Sequence, residues 1–424
     1  MGHKEFDGYS GLIISGFLAL TLVFLQVSGV FSTPSSSGFV ILSEYFWFDT
    51  TSFYLSFLSI LLWISLLFFL GRLSLLSIVM ITVSVLASIL SYCCVHAFFF
   101  WFFYEMSILS LLFLLVMESP YSERYVASWY LMGYVVVTSL PMLLCLFYFS
   151  FAEGSFILYN WCLEEGFGVW LSVLLAILFI TKIPLFPFHV WLPIVHAEAS
   201  SAVSVCLSGY VMKLGVLGGF RFCSYVLPDF VFSFLYCLFV LFFSILFFFS
   251  ASRELDGKRW LAFLSLAHIL IPVVCLGAGL FDYSGVSFLY CLGHGLSAGV
   301  TFILLWILYD VSGSRNWLLL KNGVSNSVLF RLCCVACLCT VASLPPMLQF
   351  FSEVFVVCVA GVSSGLLVLA MSFYLFLGGL VPTFLVGGLL TRHYSIGFGC
   401  GLVFSGVCSV LFLVFWSFVL FLLC

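Results

Sequence analysis

Apolar runs long enough to cross a bilayer follow one another along nearly the whole chain. A membrane-crossing helix needs about 20 predominantly apolar residues. Read on that rule, the chain holds about thirteen spans, at roughly 11–31, 53–70, 73–95, 97–117, 127–151, 169–193, 199–221, 230–250, 260–278, 285–309, 328–357, 364–391 and 396–424. Backbone groups in lipid must be satisfied inside each segment, which favours helices over open sheets. The expected fold is therefore an all-α polytopic membrane protein. Only 7% of the residues are charged, against about 25% in ordinary soluble domains, so no soluble domain of useful size fits between the spans. The net charge of −4 is small and scattered, which argues against a nucleic-acid partner. The run Leu12–Phe31 lacks a convincing small-residue exit site and reads as a retained helix, not a cleaved signal. The start MGHKEF lacks the Ser/Thr of a myristoylation signal.

Positive charge tests the span assignment, because Lys and Arg collect on the cytoplasmic or matrix side. Alternating loops from the N-terminus places Lys4, Arg72, Arg124, Arg253, Lys258, Arg259, Arg315, Lys321, Arg331 and Arg392 on one side. The opposite side holds Arg221 alone. A missed helix would reverse every later loop, so this asymmetry predicts an inside N-terminus and an outside C-terminus.

The 17 cysteines lie in apolar runs. Cys334 and Cys337 have C-x-x-C spacing, but no second pair or nearby His completes a ligand set, so no metal is expected. Cysteine here reads as a small hydrophobe. The 53 phenylalanines point to a T-rich coding strand and an organelle genome.

Six ionisable residues fall within spans: Glu105, Lys182, Lys213, His268, His294 and Glu353. A charge at mid-membrane costs roughly 2.5–3.5 kcal/mol even on insertion scales. Singly, each His could be a core hydrogen-bonding residue and Lys182 could snorkel from a helix end. Together, two carboxylates, two lysines and two imidazoles form the parts of a proton relay. A lysine keeps its charge beside an ionised acid and gives it up more readily when that acid is neutralised. Histidine takes or releases a proton near pH 7 and suits an intermediate position.

The densest polar stretch is Ile180–Phe222, with Lys182, His189, His196, Glu198 and Lys213. Pro184, Pro187 and Pro193 interrupt the helical pattern beside Lys182. A second interruption, Pro345–Pro346, precedes Glu353. Broken backbone at membrane depth is tolerated only where protein or a water-lined cavity satisfies it. Taking spans three to seven and eight to twelve as groups puts the break in the fourth member of each. Five is odd, so the second group enters from the opposite face, which is the signature of an inverted repeat. The resulting divisions are 1–71 (N-terminal helices), 72–222 (first repeat, broken near 182–193), 229–391 (second repeat, broken near 343–353) and 392–424 (C-terminal helix).

These motifs carry a resemblance. KIPLFPFHVWLPIVHAEA followed by VMKLGVLGGFRF resembles the signature of the antiporter-like subunits of respiratory complex I, and within them the subunit 4 branch. Lys182, Pro184, His189, Trp191, Leu192, Pro193, His196, Glu198 and Ala199 match, while Ser200 replaces a proline. FFYEMSILSLLFLL, SLPMLL, ELDGKRWLAFLSLAHI, CLGHGLSAGVTF and SLPPMLQFFSE resemble further family segments, aligning Glu105, Lys258, His268, His294 and Glu353. The sister subunits 2 and 5 carry lysine where Glu353 stands. One helix fewer than usual for the family precedes FWFDTTSFYLSFLSILLWIS.

The resemblance implies a proton-translocating subunit of NADH:ubiquinone oxidoreductase in the mitochondrial inner membrane, N-terminus on the matrix side and C-terminus on the intermembrane side. A bacterial plasma membrane is the alternative. It implies no cofactor in this chain, since FMN, the iron–sulfur clusters and ubiquinone belong to other subunits. The implied partners are membrane subunits, especially subunits 2 and 5, accessory subunits and lipids. By the same analogy Glu105 and Lys182 gate a first half-channel, Lys213, His268 and His294 carry the proton across the midplane, and Glu353 releases it. His189, His196, Glu198, Pro184, Pro193, Pro345 and Pro346 support that path. Two other readings stay open: a subunit of a multi-subunit cation/proton antiporter, and an assembly subunit that has lost transport.

Overall fold

A computed structural model describes residues 40–41, 43–161, 169–223, 232–279, 283–324, 328–391 and 404–423. The run at 11–31, and with it the reading of a missing early helix, lies outside the described residues. A short antiparallel hairpin comes first, β1 (Val40–Ile41) with β2 (Trp47–Phe48), pairing Val40 with Phe48 and Ile41 with Trp47. Helices follow: α1 (Thr50–Leu67), α2 (Leu75–Cys93), α3 (Ala97–Glu118) and α4 (Arg124–Leu131). A π-helical turn, Met132–Val136, joins α4 to α5 (Ser139–Ala152). Then come α6 (Val169–Lys182), α7 (Trp191–Glu198) and α8 (Ser201–Cys206). A second π turn, Leu207–Val211, leads into α9 (Met212–Gly218) and a third, Gly219–Cys223. The remainder is α10 (Phe234–Arg253), α11 (Gly257–Ala278), α12 (Ser284–Ser312), α13 (Trp317–Val324), α14 (Val328–Val341), α15 (Leu348–Ser363), α16 (Gly365–Leu390) and α17 (Phe404–Val419).

Among the described residues, nine helical runs are long and apolar enough to cross a membrane. The pairs α6/α7 and α14/α15 are each one interrupted span. The interruptions run over residues 183–190 and 342–347, at the fourth position of each five-helix group. Pro184 and Pro187 lie in the first and Pro345 and Pro346 in the second. Pro193 does not interrupt anything: it is the third residue of α7. First-turn N–H groups have no partner inside the helix, so proline is tolerated there. The first break needs room, and Gly215 provides it. A Cβ there would stand 3.1 Å from the Lys182 carbonyl carbon and 3.1 Å from the Ile183 nitrogen.

Helix starts follow local capping chemistry. The Ser77 N–H donates to Ser74 Oγ at the head of α2, and the Lys258 N–H donates to Asp256 Oδ1 at the head of α11. α12 is almost fully enclosed, packed by α1, α8, α11, α14, α15 and α17. It is the axis of the bundle. α2, α10 and α16 turn apolar side chains such as Leu86, Phe242 and Phe376 outward, as a lipid-facing ring requires.

Charges gather at the two ends. Arg72 pairs with Asp310, and Arg315 pairs with Asp256 and Glu198, at one end. Arg221 sits at the other, donating to the Cys94 carbonyl and pairing with Asp49 at 3.4 Å. The loop that carries Arg315 and Lys321 also contains α13. This short helix is tied to the segment just before α11 through Trp317 N–H on the Leu255 carbonyl at 3.0 Å.

Candidate functional site

Glu105 and Lys182 meet. Lys182 is the last residue of α6, where the break lets its side chain leave the helix axis, and its Nζ lies 3.1 Å from Glu105 Oε1 on α3. Both are buried, at 2% and 5% exposure, so neither can be a snorkelling surface group. The Nζ also donates to the Val135 carbonyl at 3.1 Å and lies 4.5 Å from the centre of the Tyr104 ring. Val135 belongs to a π turn just before Pro141, where the helical ladder is offset and carbonyls can reach side chains. An ammonium held by a carboxylate, a carbonyl and a ring face is a compensated buried charge.

Lys213 stands on α9 with no exposure at all and donates to the Ser208 carbonyl, again in a π turn. Its helix α9 packs against α6, which ends in Lys182, and against α11, which carries His268. It therefore sits between the two halves of the bundle.

The second cluster surrounds the other break. The His268 and His294 rings are 5.3 Å apart, centre to centre. Glu353 Oε1 accepts from Ser343 Oγ at 3.0 Å, Gln349 Nε2 at 3.2 Å and Tyr290 OH at 3.3 Å. Tyr290 OH also lies 3.3 Å from His268 Nδ1 and 3.2 Å from Tyr374 OH, and Tyr374 OH bonds the same Nδ1. Ser297 Oγ donates to Gln349 Oε1 at 3.1 Å, which fixes the amide. Tyr290, Tyr374, Gln349, Ser343 and Ser297 were not singled out from sequence. One signal existed: Tyr290 with His294, and Gln349 with Glu353, stand four apart on one helix face.

His196 is fully buried, stacked on Phe302 at 4.9 Å, with both ring nitrogens free of protein hydrogen bonds. Ser204, Ser265 and His294 likewise carry buried polar atoms without a protein partner. Such atoms are normally satisfied by ordered water. His189 stands apart from both clusters, half-buried against the Phe186 and Phe247 rings. At the Arg72 end, a cavity of about 450 Å³ is lined by Arg72, Ser77, Glu118, Tyr121, Ser201 and Asp310.

Glu198 belongs to a clamp at that end. Arg315 and Lys258 donate to the carbonyls of Ala197 and Ala199, and Ser119 Oγ to that of Glu198. Together they satisfy the end of α7 and oppose its negative dipole. Lys258 is therefore turned inward and buried, not a solvated loop charge. Tyr121 packs beneath both cations, 5.1 Å from Lys258 Nζ and 4.4 Å from Arg315 Cζ. Burial raises its phenol above the ordinary range and keeps it neutral. Arg315→Lys should lower the melting point of the assembled protein, at a cost of about 1–2 kcal/mol. A point charge cannot reproduce the planar contacts to Ala197, Glu198, Asp256 and Tyr121. A thermal melt that does not move would show that the clamp does not depend on the fork.

A family profile described as NADH:quinone oxidoreductase/Mrp antiporter, transmembrane, matches residues 95–378. The chain belongs to this family. The match spans both breaks and Glu105, Lys182, Lys213, His268, His294 and Glu353. Several curated relatives are named NADH-ubiquinone oxidoreductase chain 4. That of Locusta migratoria is 33% identical over 240 residues, covering 56% of this chain but only 53% of its own length. That of Ceratitis capitata is 29% identical over 329 residues, covering 76% and 70%. That of Albinaria caerulea is 25% identical over 386 residues, covering 86% and 83%. Their names agree with the subunit 4 resemblance read from the motifs. Respiratory complex I from Thermus thermophilus with bound NADH contains a chain of the same fold, with TM-score 0.80, 20% identity and coverage of 97% and 90%. The Mrp complex from Dietzia sp. DQ12-45-1b contains another, with TM-score 0.76, 15% identity and coverage of 98% and 90%.

Proposed function

We propose that this chain translocates protons as a membrane subunit of an NADH:ubiquinone oxidoreductase and performs no redox chemistry itself. One observation carries the reading: each helix break holds a buried acid–base cluster, with Lys213 between them. Charged groups inside a membrane are costly and mark ion paths. Glu105 and Lys182 act as a gate. An ionised Glu105 holds the Lys182 ammonium, and when Glu105 takes up a proton that ammonium loses its counter-charge and releases its own. Lys213 takes up the proton at mid-membrane and hands it to His294. His268 then passes the proton to Glu353, which releases it. The partners are other membrane subunits, subunits 2 and 5 among them, with accessory subunits and lipids. FMN, iron–sulfur clusters and ubiquinone reside elsewhere in the complex. The membrane is the mitochondrial inner membrane, with the Arg72 end facing the matrix.

A native gel of source membranes tests membership: this chain should co-migrate with NADH dehydrogenase activity in one very large band. The likeness to the Mrp complex supports the rival reading of a cation/proton antiporter. A small band without NADH activity, with sodium-dependent proton flux, would establish the rival. Within the complex, Glu353→Gln should assemble, because an amide oxygen can still accept from Ser343 and Tyr290. Proton translocation in sealed vesicles should fall at least about tenfold, since a positioned acid–base group contributes about 10²–10⁴-fold to proton transfer. Undiminished translocation would remove Glu353 from the path.

A further inference from the structure

His268 and Glu353 are neighbours that do not touch. His268 Nδ1 and Glu353 Oε1 are 3.9 Å apart, beyond hydrogen-bond reach. Any proton passing between them needs an intermediary. The hydroxyl of Tyr290 lies 3.3 Å from that nitrogen and 3.3 Å from that oxygen. Its side chain is completely buried, and α12 holds it one turn before His294. A phenol hydroxyl both donates and accepts, which is what a bridging group requires.

We propose that Tyr290 is the group through which the proton crosses from His268 to Glu353, with Tyr374 as a positioning residue. The inference rests on the relay reading above and names a member that reading lacked. In the step, the Nδ1–H bond of the His268 imidazolium breaks and a bond forms to the Tyr290 oxygen. The phenol's own O–H bond breaks in concert and its proton goes to Glu353 Oε1. Imidazolium and carboxylate become neutral imidazole and carboxylic acid, and the phenol ends as neutral as it began. No phenolate accumulates and no electron moves.

Tyr374 makes the closer phenol contact to His268 Nδ1 and also interacts with the Glu353 carboxyl, but of the two hydroxyls Tyr290 is the one within hydrogen-bond distance of both reacting atoms. Tyr374 OH lies 3.2 Å from Tyr290 OH. It therefore holds the imidazole ring edge toward the bridge and orients the Tyr290 hydroxyl. Gln349 Nε2, 3.4 Å from both Nδ1 and Tyr290 OH and 3.2 Å from Glu353 Oε1, closes the pocket around these atoms.

Tyr290→Phe isolates the bridge, because Glu353 keeps its bonds from Ser343 and Gln349 and the ring volume is retained. The whole complex carrying Tyr290→Phe should assemble to the ordinary band on a native gel. Proton translocation in sealed vesicles should drop at least about tenfold. Tyr374→Phe should be milder than Tyr290→Phe, since the Tyr290 hydroxyl still reaches both His268 and Glu353. The double variant should be no worse than Tyr290→Phe alone, because both act on one step. A purely structural Tyr290 would lower the amount of complex and leave translocation per complex unchanged, and that result overturns the proposal. Glu353→Gln is the control. If it abolishes translocation while Tyr290→Phe leaves it intact, the bridge is wrong and the relay stands. If both leave it intact, the relay itself is wrong.

Discussion

Lys182→Met is expected to abolish proton translocation and to destabilise the protein by about 3–5 kcal/mol, the range for breaking a buried ion pair from one side. Glu105 is 5% exposed and takes its one ammonium contact from Lys182. Without that contact the carboxylate must stay charged in a poor solvent or take up a proton. The double variant Glu105→Gln/Lys182→Met separates the two losses. It removes both charges and keeps approximate shape, so assembly and melting temperature should return most of the way to wild type. Translocation should not return, because no group at the break can then carry a proton. Gel band strength and melting report the first quantity, and vesicle acidification per NADH oxidised reports the second. A single variant as stable as wild type would show that the pair carries no buried charge. A double variant that pumps would show that the pair is not a gate.

Much of this arrangement was legible because lipid makes charge expensive. Glu105, Lys182, Lys213, His268, His294 and Glu353 stood out against apolar runs, and the structure buries all six. The prolines marked both breaks for a similar reason, since each lost N–H and each steric clash has to be housed somewhere. Hydropathy marked the apolar helices, of which nine are of full spanning length among the described residues against the thirteen spans expected, and loop charge told the ends apart. Arg72 and Arg315 do lie at one end and Arg221 at the other.

What was not legible depends on direction and distance. Tyr290 and Tyr374 read as two aromatics among many, and only the crossing of α11, α12 and α16 turns their hydroxyls onto one imidazole nitrogen. Lys258 was placed among the positive loop charges of one side, and position along the chain does not show that its side chain turns inward at the helix start. The same applies to Pro193, since the end of a break depends on where the next helix nucleates. The π turns at Met132–Val136 and Leu207–Val211 had no sequence cue, yet each presents the carbonyl that holds a buried lysine.

The fold itself makes the other large prediction. Gly295 on α12 faces α1 and the π turn before Lys213. A Cβ there would lie 2.4 Å from Leu58 Cδ2, 2.8 Å from its Cδ1 and 2.9 Å from the Gly209 carbonyl oxygen. The leucine methyls could rotate away, but the backbone oxygen could not. Gly295→Val should therefore leave no assembled complex detectable on a native gel, and adding Leu58→Ala should not restore it. Gly299, one turn on, is the comparison. A Cβ there would clash with Leu62 Cδ2 alone, at 2.4 Å, so Gly299→Ala should give a weakened band. The two glycines form a small-x-x-x-small face, which lets membrane helices approach closely. Close approach is what places Lys213, one turn beyond Gly209, against the axis that carries His294. A full-strength band from Gly295→Val would mean that α12 stands farther from the π turn. Lys213 would then be too remote to link the two clusters.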